Sequence, residues 1–248
     1  MVILIIGSKG MLGKEIIKAF SDCEVIGWDK ENIDITKKDE MGEKIKKLSL
    51  DLIINCAAYN NVDGCEENPD IANLINGYAV GFLAEISKRL DIPLVHFSTG
   101  YVFDGENGNY TEDMEPRAIS KYAASKILGE KELADGTGKF YLIRTNLLFG
   151  NPGQAENSKK SFIELMLGLA QEKDKLQVVS DEISNPTYVK DLAEAVYKLV
   201  IENYPFGIYH LVNDGSASWY DWAKEIFKIK GLPVNVEPVS SDKFPRAA

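Results

Sequence analysis

The segment VILIIGSKGMLG, residues 2–13, decides the fold that the sequence predicts. Val2–Ile6 is a short apolar run, typical of a strand buried in a parallel sheet, and it ends at Gly7. Gly7, Gly10 and Gly13 have the spacing GxxGxxG, a variant of the turn that binds dinucleotides between a first strand and a first helix. Residues without a Cβ let the backbone approach a pyrophosphate, which the helix N-terminus then faces.

Beyond this turn, extended and helical patterns alternate along the chain. The patterns predict further strands at residues 24–28, 51–58, 92–98 and 140–149, and helices at 12–20, 41–48, 70–90 and 122–133. Such alternation indicates βαβ crossovers, so we expect an α/β fold with a Rossmann-type, doubly wound parallel sheet.

The regular alternation of strand and helix patterns ends after Gly150. Residues 151–160 are polar and predict a loop, followed by helices at 162–170, 189–202 and 218–228 and a strand at 207–212. We therefore predict an NAD(P)-binding Rossmann domain at residues 1–150, completed by about residues 184–212. Residues 151–183 and 213–248 would form a smaller C-terminal substrate-binding region.

Composition narrows the classes of partner. The 248 residues carry a net charge of −10 with no long Lys/Arg-rich stretch, which argues against nucleic acid. Three cysteines without a CxxC pair and two histidines predict no metal site. No apolar run is long enough for a membrane span or a signal sequence, so we expect a cytoplasmic protein. A homodimer is compatible with the sequence, which does not decide the oligomeric state.

The end of the second predicted strand carries a candidate for the adenosine ribose. Asp29 lies 22 residues after Gly7, where a carboxylate accepts hydrogen bonds from ribose hydroxyls and repels a 2′-phosphate. Lys30 follows and would offset that repulsion, so either NADH or NADPH is expected as cofactor. A solvated strand end is the alternative for both residues. Asp34 is a candidate for contacting the adenine, with a loop cap as its alternative.

Tyr122 and Lys126 are the candidate catalytic pair. They are four residues apart, on one face of a predicted helix. A cation near a tyrosine favours the phenolate, so we expect Lys126 to lower the pKa of Tyr122 from about 10 toward neutral pH. Outside a Rossmann chain, the same spacing is commonly an ordinary surface pair. Thr99, at the end of the 92–98 strand, is placed to hydrogen-bond a substrate oxygen and to hold Tyr122.

Small and polar residues near the third strand complete the predicted cofactor site. Asn55, Ala57 and Ala58 end the predicted 51–58 strand, where small residues leave room for the cofactor. Asn76, in the following helix, is expected to support the site as a buried polar group, and we include it among the cofactor-binding residues.

These residues resemble those of the extended short-chain dehydrogenases/reductases, and within them the dTDP-4-dehydrorhamnose reductases. The matching segments occur in the family's order and are GSKGMLG, NIDIT, NCAAYNNVDGCEENP, STGYVFDG, YAASKILGE, RTNLLFG and NPTYVKDLA. The resemblance implies reduction of a 4-keto-6-deoxy sugar on a nucleoside diphosphate, in deoxysugar biosynthesis for cell-surface polysaccharide. It implies a catalytic trio of Thr99, Tyr122 and Lys126. The cofactor contacts that it implies are Gly10, Met11, Leu12, Asp29, Asp34, Ile35, Ala58, Tyr59, Asn60, Tyr122 and Lys126.

The chain departs from the family pattern on the substrate side. Gly100 stands where the family commonly has Asp, and Leu147 where an aromatic residue would lie against the substrate. With Thr99 and Tyr122, these two are the expected substrate-binding residues. Pro116 lies six residues before Tyr122, in place of a Pro-rich approach. The family continues past position 246 with a tail that helps to close the site, and we expect that tail to be lacking here or removed.

Two other functions stay open at this point. One is a nucleotide-sugar epimerase or dehydratase of the same superfamily, although Gly100-Tyr101-Val102 lacks the acidic pair that dehydration needs. The other is a non-catalytic NAD(P)-binding subunit, as in the regulatory subunit of methionine adenosyltransferase, which resembles these reductases. Intact Thr99, Tyr122 and Lys126 favour an enzyme.

Overall fold

The apolar run at the N-terminus forms a central strand of a parallel sheet. The computed structural model describes residues 1–154 and 161–244. The strands are β1 (Val2–Ile6), β2 (Glu24–Trp28), β3 (Leu52–Asn55), β4 (Leu94–Thr99), β5 (Phe140–Thr145), β6 (Leu148–Phe149), β7 (Lys175–Val179), β8 (Ile183–Ser184), β9 (Thr187–Tyr188), β10 (Gly207–His210), β11 (Ala217–Ser218) and β12 (Asn235–Val239). The α-helices are α1 (Met11–Ala19), α2 (Lys38–Ile45), α3 (Val62–Glu67), α4 (Pro69–Ala72), α5 (Ala79–Leu90), α6 (Lys121–Gly136), α7 (Phe162–Leu169), α8 (Val189–Ile201) and α9 (Trp219–Lys230). A π-helical segment, Asn73–Tyr78, joins α4 to α5, and short 3₁₀ turns lie at Gly100–Val102 and Ser241–Lys243.

The main sheet has the strand order β10-β5-β4-β3-β1-β2, and all its neighbours are parallel. The chain passes from β1 to β2 on one side and then crosses to β3 on the other, so the order reverses at β1. Open α/β sheets bind ligands beyond the carboxyl ends of the strands at such a reversal. The predicted Rossmann-type, doubly wound sheet is confirmed.

Both faces of the sheet are covered by helices. Alternate residues of a strand point to opposite faces. Ile3 and Ile5 pack in the core that includes α1 and α8, whereas Leu4 and Ile6 pack in the core on the other face, with α2 and α5. This burial on both faces explains why β1 is apolar throughout rather than alternating.

Three predicted elements differ from the structure in ways that affect the site. The strand predicted at 51–58 ends at Asn55, and residues 56–61 are neither strand nor helix. The strand predicted at 140–149 is interrupted at Asn146 and Leu147, because Leu147 has a left-handed φ of 39°. The helix predicted at 70–90 contains the π-helical segment, in which Asn76 is buried.

A second cluster of apolar side chains lies apart from the two cores of the sheet. It is formed by α7, α9 and the parallel pair β7–β12, with Met166, Leu176, Ile226 and Phe227 buried in it. Strands β7 and β12 were not predicted, because each is short and carries only a few apolar residues. Strand β10 and helix α8, in contrast, pack with the main sheet. The predicted loop at 151–160 lies partly outside the described residues.

Candidate functional site

A cavity of about 770 Å³ lies at the carboxyl ends of the strands of the main sheet. Of the predicted site residues, those that line it are Gly10, Met11, Leu12, Gly13, Lys30, Ala57, Ala58, Tyr59, Asn60, Thr99, Tyr122, Lys126 and Leu147. Those that do not are Gly7, Asp29, Asp34, Ile35, Asn76 and Gly100. The structure thus brings the three proposed catalytic residues and part of the glycine turn to one cavity.

The glycine turn leaves no room for side chains at two of its three glycines. Gly7 has a φ of 79°, and a Cβ there would lie 2.8 Å from the amide nitrogen of Ala57. A Cβ on Gly13 would lie 2.2 Å from the carbonyl oxygen of Gly7. Gly10 is the residue before α1, so the unpaired amides of the first helical turn face the cavity. This arrangement forms a cradle for an anionic group.

Thr99 and Tyr122 meet because a strand end and a helix start lie side by side. Thr99 is the last residue of β4, and its hydroxyl accepts a hydrogen bond from the amide of Tyr101 at 3.2 Å. Ser120 caps α6 by accepting from the amide of Ala123, which places Tyr122 in the first turn of the helix. The Tyr122 hydroxyl lies 3.4 Å from Oδ1 of Asn60, and Thr99 is close enough to affect the pKa of Tyr122.

Lys126 is held one turn further along α6. Its Nζ donates a hydrogen bond of 2.7 Å to the carbonyl oxygen of Phe97 on β4, and only 2% of the residue is exposed. Burial lowers the pKa of Lys126 to about 8, although Glu130 acts in the opposite direction.

The predicted lowering of the Tyr122 pKa is wrong for this structure. Burial raises that pKa well above its usual value, the nearby Tyr101 adds to the rise, and the hydrogen bond with Thr99 opposes it. The physical reason is that a buried phenolate loses its hydration, and this loss outweighs the effect expected of a neighbouring lysine. Tyr122 is therefore held in its protonated form.

On the side expected to hold adenosine, two of the predicted carboxylates make hydrogen bonds to nearby backbone amides. The Asp29 carboxylate accepts hydrogen bonds from the amides of Lys9 and Lys30, at 3.0 and 2.9 Å, so it anchors the glycine turn from the end of β2. Asp34 accepts from the amide and the hydroxyl of Thr36, as a loop cap does. Ile35 does not reach the cavity, because its side chain is buried in the core beneath α2 and α5.

Asn76 supports the cavity wall from behind rather than lining it. Its amide oxygen accepts from the Tyr59 amide at 2.8 Å, and its nitrogen donates to the Tyr59 carbonyl and to Ser125 Oγ, both at 3.0 Å. Ser125 in turn donates to the carbonyl of Tyr122. Asn76 thus ties the segment after β3 to α6.

The substrate side contains a residue that sequence reasoning missed. Asn146 lines the cavity and accepts a hydrogen bond from the Gly100 amide at 3.0 Å. A Cβ on Gly100 would lie 2.3 Å from Oδ1 of Asn146, so the amide of Asn146 fills the space beside Gly100. The signal was present in the sequence, because Asn146 directly follows the strand that pairs with β4.

Thr145 is the second missed residue. It ends β5 opposite Thr99 and lines the cavity, and its buried hydroxyl has no hydrogen-bond partner among the described residues. Buried hydroxyls are nearly always hydrogen-bonded, so this one indicates a ligand atom as partner. Together with the glycine cradle, Thr145 shows that the cavity fits a dinucleotide such as NAD(P)H.

Residues 1–154 and 161–244 contain no group of three or more His, Cys, Asp or Glu side chains placed to hold a metal ion. They also contain no helix that is long and apolar enough to span a bilayer. The expectation of a closing tail after position 246 lies outside the described residues.

The fold is a Rossmann-type, doubly wound sheet, and the cavity at the carboxyl ends of its strands has a lining that fits a dinucleotide. The sequence matches the family described as RmlD substrate binding domain over residues 1–248. The chain therefore belongs to that family.

Relatives and solved structures support this membership. The chain is 38% identical, over 98% of its length and 84% of the relative, to the spore coat polysaccharide biosynthesis protein SpsK of Bacillus subtilis. It is also similar to the structure of a dTDP-4-dehydrorhamnose reductase from Clostridium acetobutylicum, with 37% identity and a TM-score of 0.94 over 100% of this chain and 87% of that one. For the Bacillus anthracis dTDP-4-dehydrorhamnose reductase in complex with NADP, the identity is 35% and the TM-score 0.94, over 100% and 86% of the two chains.

Proposed function

We propose that this protein uses NADPH or NADH to reduce the 4-keto group of a nucleotide-activated 6-deoxysugar, in the biosynthesis of deoxysugars for polysaccharide. The observation that carries the proposal is that Thr99, Tyr122 and Lys126 line the same cavity as the glycine turn. The names of the similar proteins, dTDP-4-dehydrorhamnose reductase and a polysaccharide biosynthesis protein, support the substrate class.

In this proposal, Tyr122 is the general acid. A bound NADPH or NADH would supply the hydride, and Tyr122 would donate its phenolic proton to the oxygen at C4 of the sugar. A tyrosine that stays protonated suits this direction of reaction, and burial raises the pKa of Tyr122. Thr99, which lines the cavity together with Tyr122, would orient the same carbonyl oxygen.

The rest of the cavity would divide between cofactor and sugar. Gly10, Met11, Leu12 and Gly13 would hold the pyrophosphate, and Lys30 would lie near the adenosine ribose. Because Lys30 offsets the charge of Asp29 at this point, we propose that both NADPH and NADH are accepted. Asp29, Gly7 and Asn76 would act by holding the backbone that contacts the cofactor.

The sugar would bind on the other side of Tyr122, next to Asn146 and Leu147. The cluster formed by α7, α9, β7 and β12 would belong to the substrate-binding region that the sequence predicts at 151–183 and 213–248. A cytoplasmic location and a homodimer remain part of the proposal.

The test is a panel of nucleoside-diphosphate 4-keto-6-deoxyhexoses, each mixed with the enzyme and NADPH or NADH and followed by nicotinamide absorbance. We expect oxidation of the cofactor with at least one sugar and NMR evidence of an alcohol at C4. The Gly10→Val variant should lose cofactor binding, because a side chain there would meet the pyrophosphate. Cofactor binding without turnover of any sugar would replace this proposal with the regulatory role.

A further inference from the structure

A buried histidine connects the end of β3 to Lys126, although it is not part of the cavity wall. His96 on β4 is 1% exposed. Its Nδ1 lies 3.2 Å from Nδ2 of Asn55, and its Nε2 lies 3.5 Å from Nζ of Lys126. Asn55 and Lys126 line the cavity but are also nearly fully buried, so these three side chains interact with little exposure to water.

The neighbours of Asn55 determine which nitrogen of His96 carries the proton. Asn55 Oδ1 accepts a hydrogen bond of 3.1 Å from the backbone amide of Ala57. A backbone N–H only donates, so the oxygen of Asn55 must face it and the NH₂ group must face His96. Nδ1 of His96 therefore accepts, and in a neutral ring the proton is on Nε2, which faces Lys126.

This tautomer matters for Lys126, because an ammonium group has only donors. An Nε2–H group directed at an ammonium would bring two donors together. An uncharged amine instead has a lone pair that accepts from Nε2–H, while one of its own N–H groups still donates to the Phe97 carbonyl at 2.7 Å.

The electrostatic surroundings agree with this geometry. Burial holds the pKa of His96 well below its usual value, so the ring stays neutral, and Lys126 lowers that pKa further. Burial also lowers the pKa of Lys126, to about 8. Glu130, one turn along α6, acts in the opposite direction, but its carboxylate is paired with Arg144 and accepts from Ser98. The other titratable groups that line the cavity are Lys30, Cys56, Tyr59, Tyr101 and Tyr122.

We propose that Asn55 and His96 are positioning residues that favour the uncharged amine of Lys126, with Asn55 fixing the tautomer and His96 donating through Nε2. The role in catalysis rests on the proposed function. A lysine that gains and loses its proton near working pH can help to return a proton to Tyr122 after each reduction.

The first test observes the tautomer directly and needs no substrate. Long-range ¹H–¹⁵N NMR on the full chain with labelled histidine should show His96 neutral and protonated at Nε2 between pH 6 and 9. The other histidine, His210, provides an internal reference that lies outside the cavity wall. A proton on Nδ1 of His96 would overturn the proposal.

The second test reverses the tautomer with Asn55→Asp, which preserves size. One carboxylate oxygen still accepts from Ala57, but the other faces Nδ1 as an acceptor, so His96 must donate from Nδ1 and accept at Nε2. The charged form of Lys126 is then favoured, and we expect its titration, followed by NMR of ¹³C-labelled lysine, to move up by about 1–3 pH units. The basic limb of the pH profile of kcat/KM should move with it.

A third variant separates the effect of the tautomer from that of the added charge. In the His96→Leu variant, residue 96 can neither donate nor accept a hydrogen bond. Adding Asn55→Asp to His96→Leu should therefore raise the titration midpoint of Lys126 by less than half as much as Asn55→Asp alone does. An equal shift in the two backgrounds would mean that the carboxylate acts directly, and the role of His96 would be rejected. Should His96→Leu not fold, the tautomers of the wild type and of Asn55→Asp still decide the outcome. Inactivity toward nucleotide sugars would reject the proposed function without changing these spectra.

Discussion

On the sheet side of the cavity, Lys126 and Thr99 lie on regular elements, and they are only 2% and 8% exposed. On the part of the cavity wall that we call the open side, Leu147 has a left-handed backbone between two strands, and Tyr101, in a 3₁₀ turn, is 37% exposed. The first side is fixed by hydrogen bonds between strands and α6, whereas the second depends on single residues in short connections.

This contrast indicates which property of the enzyme each side controls. A change on the sheet side disturbs buried hydrogen bonds, such as that between Lys126 and the Phe97 carbonyl, and affects both chemistry and stability. A change on the open side alters the shape of the cavity with little effect on the core. We therefore expect large effects on turnover from the first side and small effects on substrate affinity from the second.

The largest effect is expected from Tyr122→Phe. The variant removes the hydroxyl that donates the proton but keeps the ring, which packs with Cys65 and Ala72. General acid catalysis contributes about 10²–10⁴-fold, so kcat should fall by that factor while the dissociation constant for NADPH changes little. Stopped-flow turnover and fluorescence titration measure the two quantities.

Tyr197→Phe is the matched control for this loss. It also removes a phenolic hydroxyl, but one bonded to Asp22, outside the cavity wall. Turnover of this variant should equal that of the wild type. A loss below tenfold in Tyr122→Phe would contradict the role of Tyr122 as the acid.

The second-largest effect is expected on the stability of the protein, because burying the charged Lys126 lowers the free energy of unfolding. Its pKa is lowered from 10.5 to about 8 in the folded protein, so below pH 8 both states are charged and the cost applies in full. As the pH rises from 8 toward 10.5, the folded state loses its proton first and stability increases. Each pKa unit corresponds to about 1.4 kcal/mol, so the wild type should gain about 3 kcal/mol relative to Lys126→Met over this range.

Urea unfolding of the wild type and of Lys126→Met at fixed pH values measures the difference between their free energies of unfolding. The titration of all other groups cancels in this difference. A constant difference between the two free energies of unfolding from pH 7 to 10 would mean that burial does not destabilise the charged form of Lys126. Lys126→Met should also be inactive. A buried lysine that lowers the stability of the protein is expected to be kept because the protein needs it for its function.

The sheet side was largely predictable from the sequence for a physical reason. Parallel strands end at the same edge, so residues after β1, β3 and β4 had to meet, and Thr99, Tyr122 and Lys126 do line one cavity. The same reasoning reaches Thr145 and Asn146 once β5 is placed beside β4.

What could not be predicted depends on contacts between distant residues. The direction of the Tyr122 pKa shift follows from how completely other elements cover it, which a spacing of four residues does not report. Asp34 and Ile35 were predicted to contact the cofactor, but a local cap and a core contact turn their side chains away from the cavity. Asn76 was expected to be buried, and only the fold shows that it binds the Tyr59 backbone.

The smallest effect, and the test of the open side, is expected from Gly100→Ala. Its Cβ would displace the Asn146 amide, and the Gly100 N–H would lose its acceptor. A hydrogen bond of this kind contributes about 0.5–1.5 kcal/mol, so KM for the nucleotide sugar should rise about 2- to 12-fold with kcat nearly unchanged. Gly138→Ala, where a new Cβ meets nothing within 4 Å, is the control.

The pair also tests whether Gly100 acts through Asn146. If it does, Asn146→Ala should raise KM by a similar factor, and the double variant should be no worse than Asn146→Ala alone, because the displaced amide is already gone. Purely additive effects would show that the two positions act separately. Coupling would mean that a larger side chain at position 100 needs a smaller residue at 146. Pairs of residues on the open side would then determine the substrate specificity, while the sheet side keeps the chemistry constant.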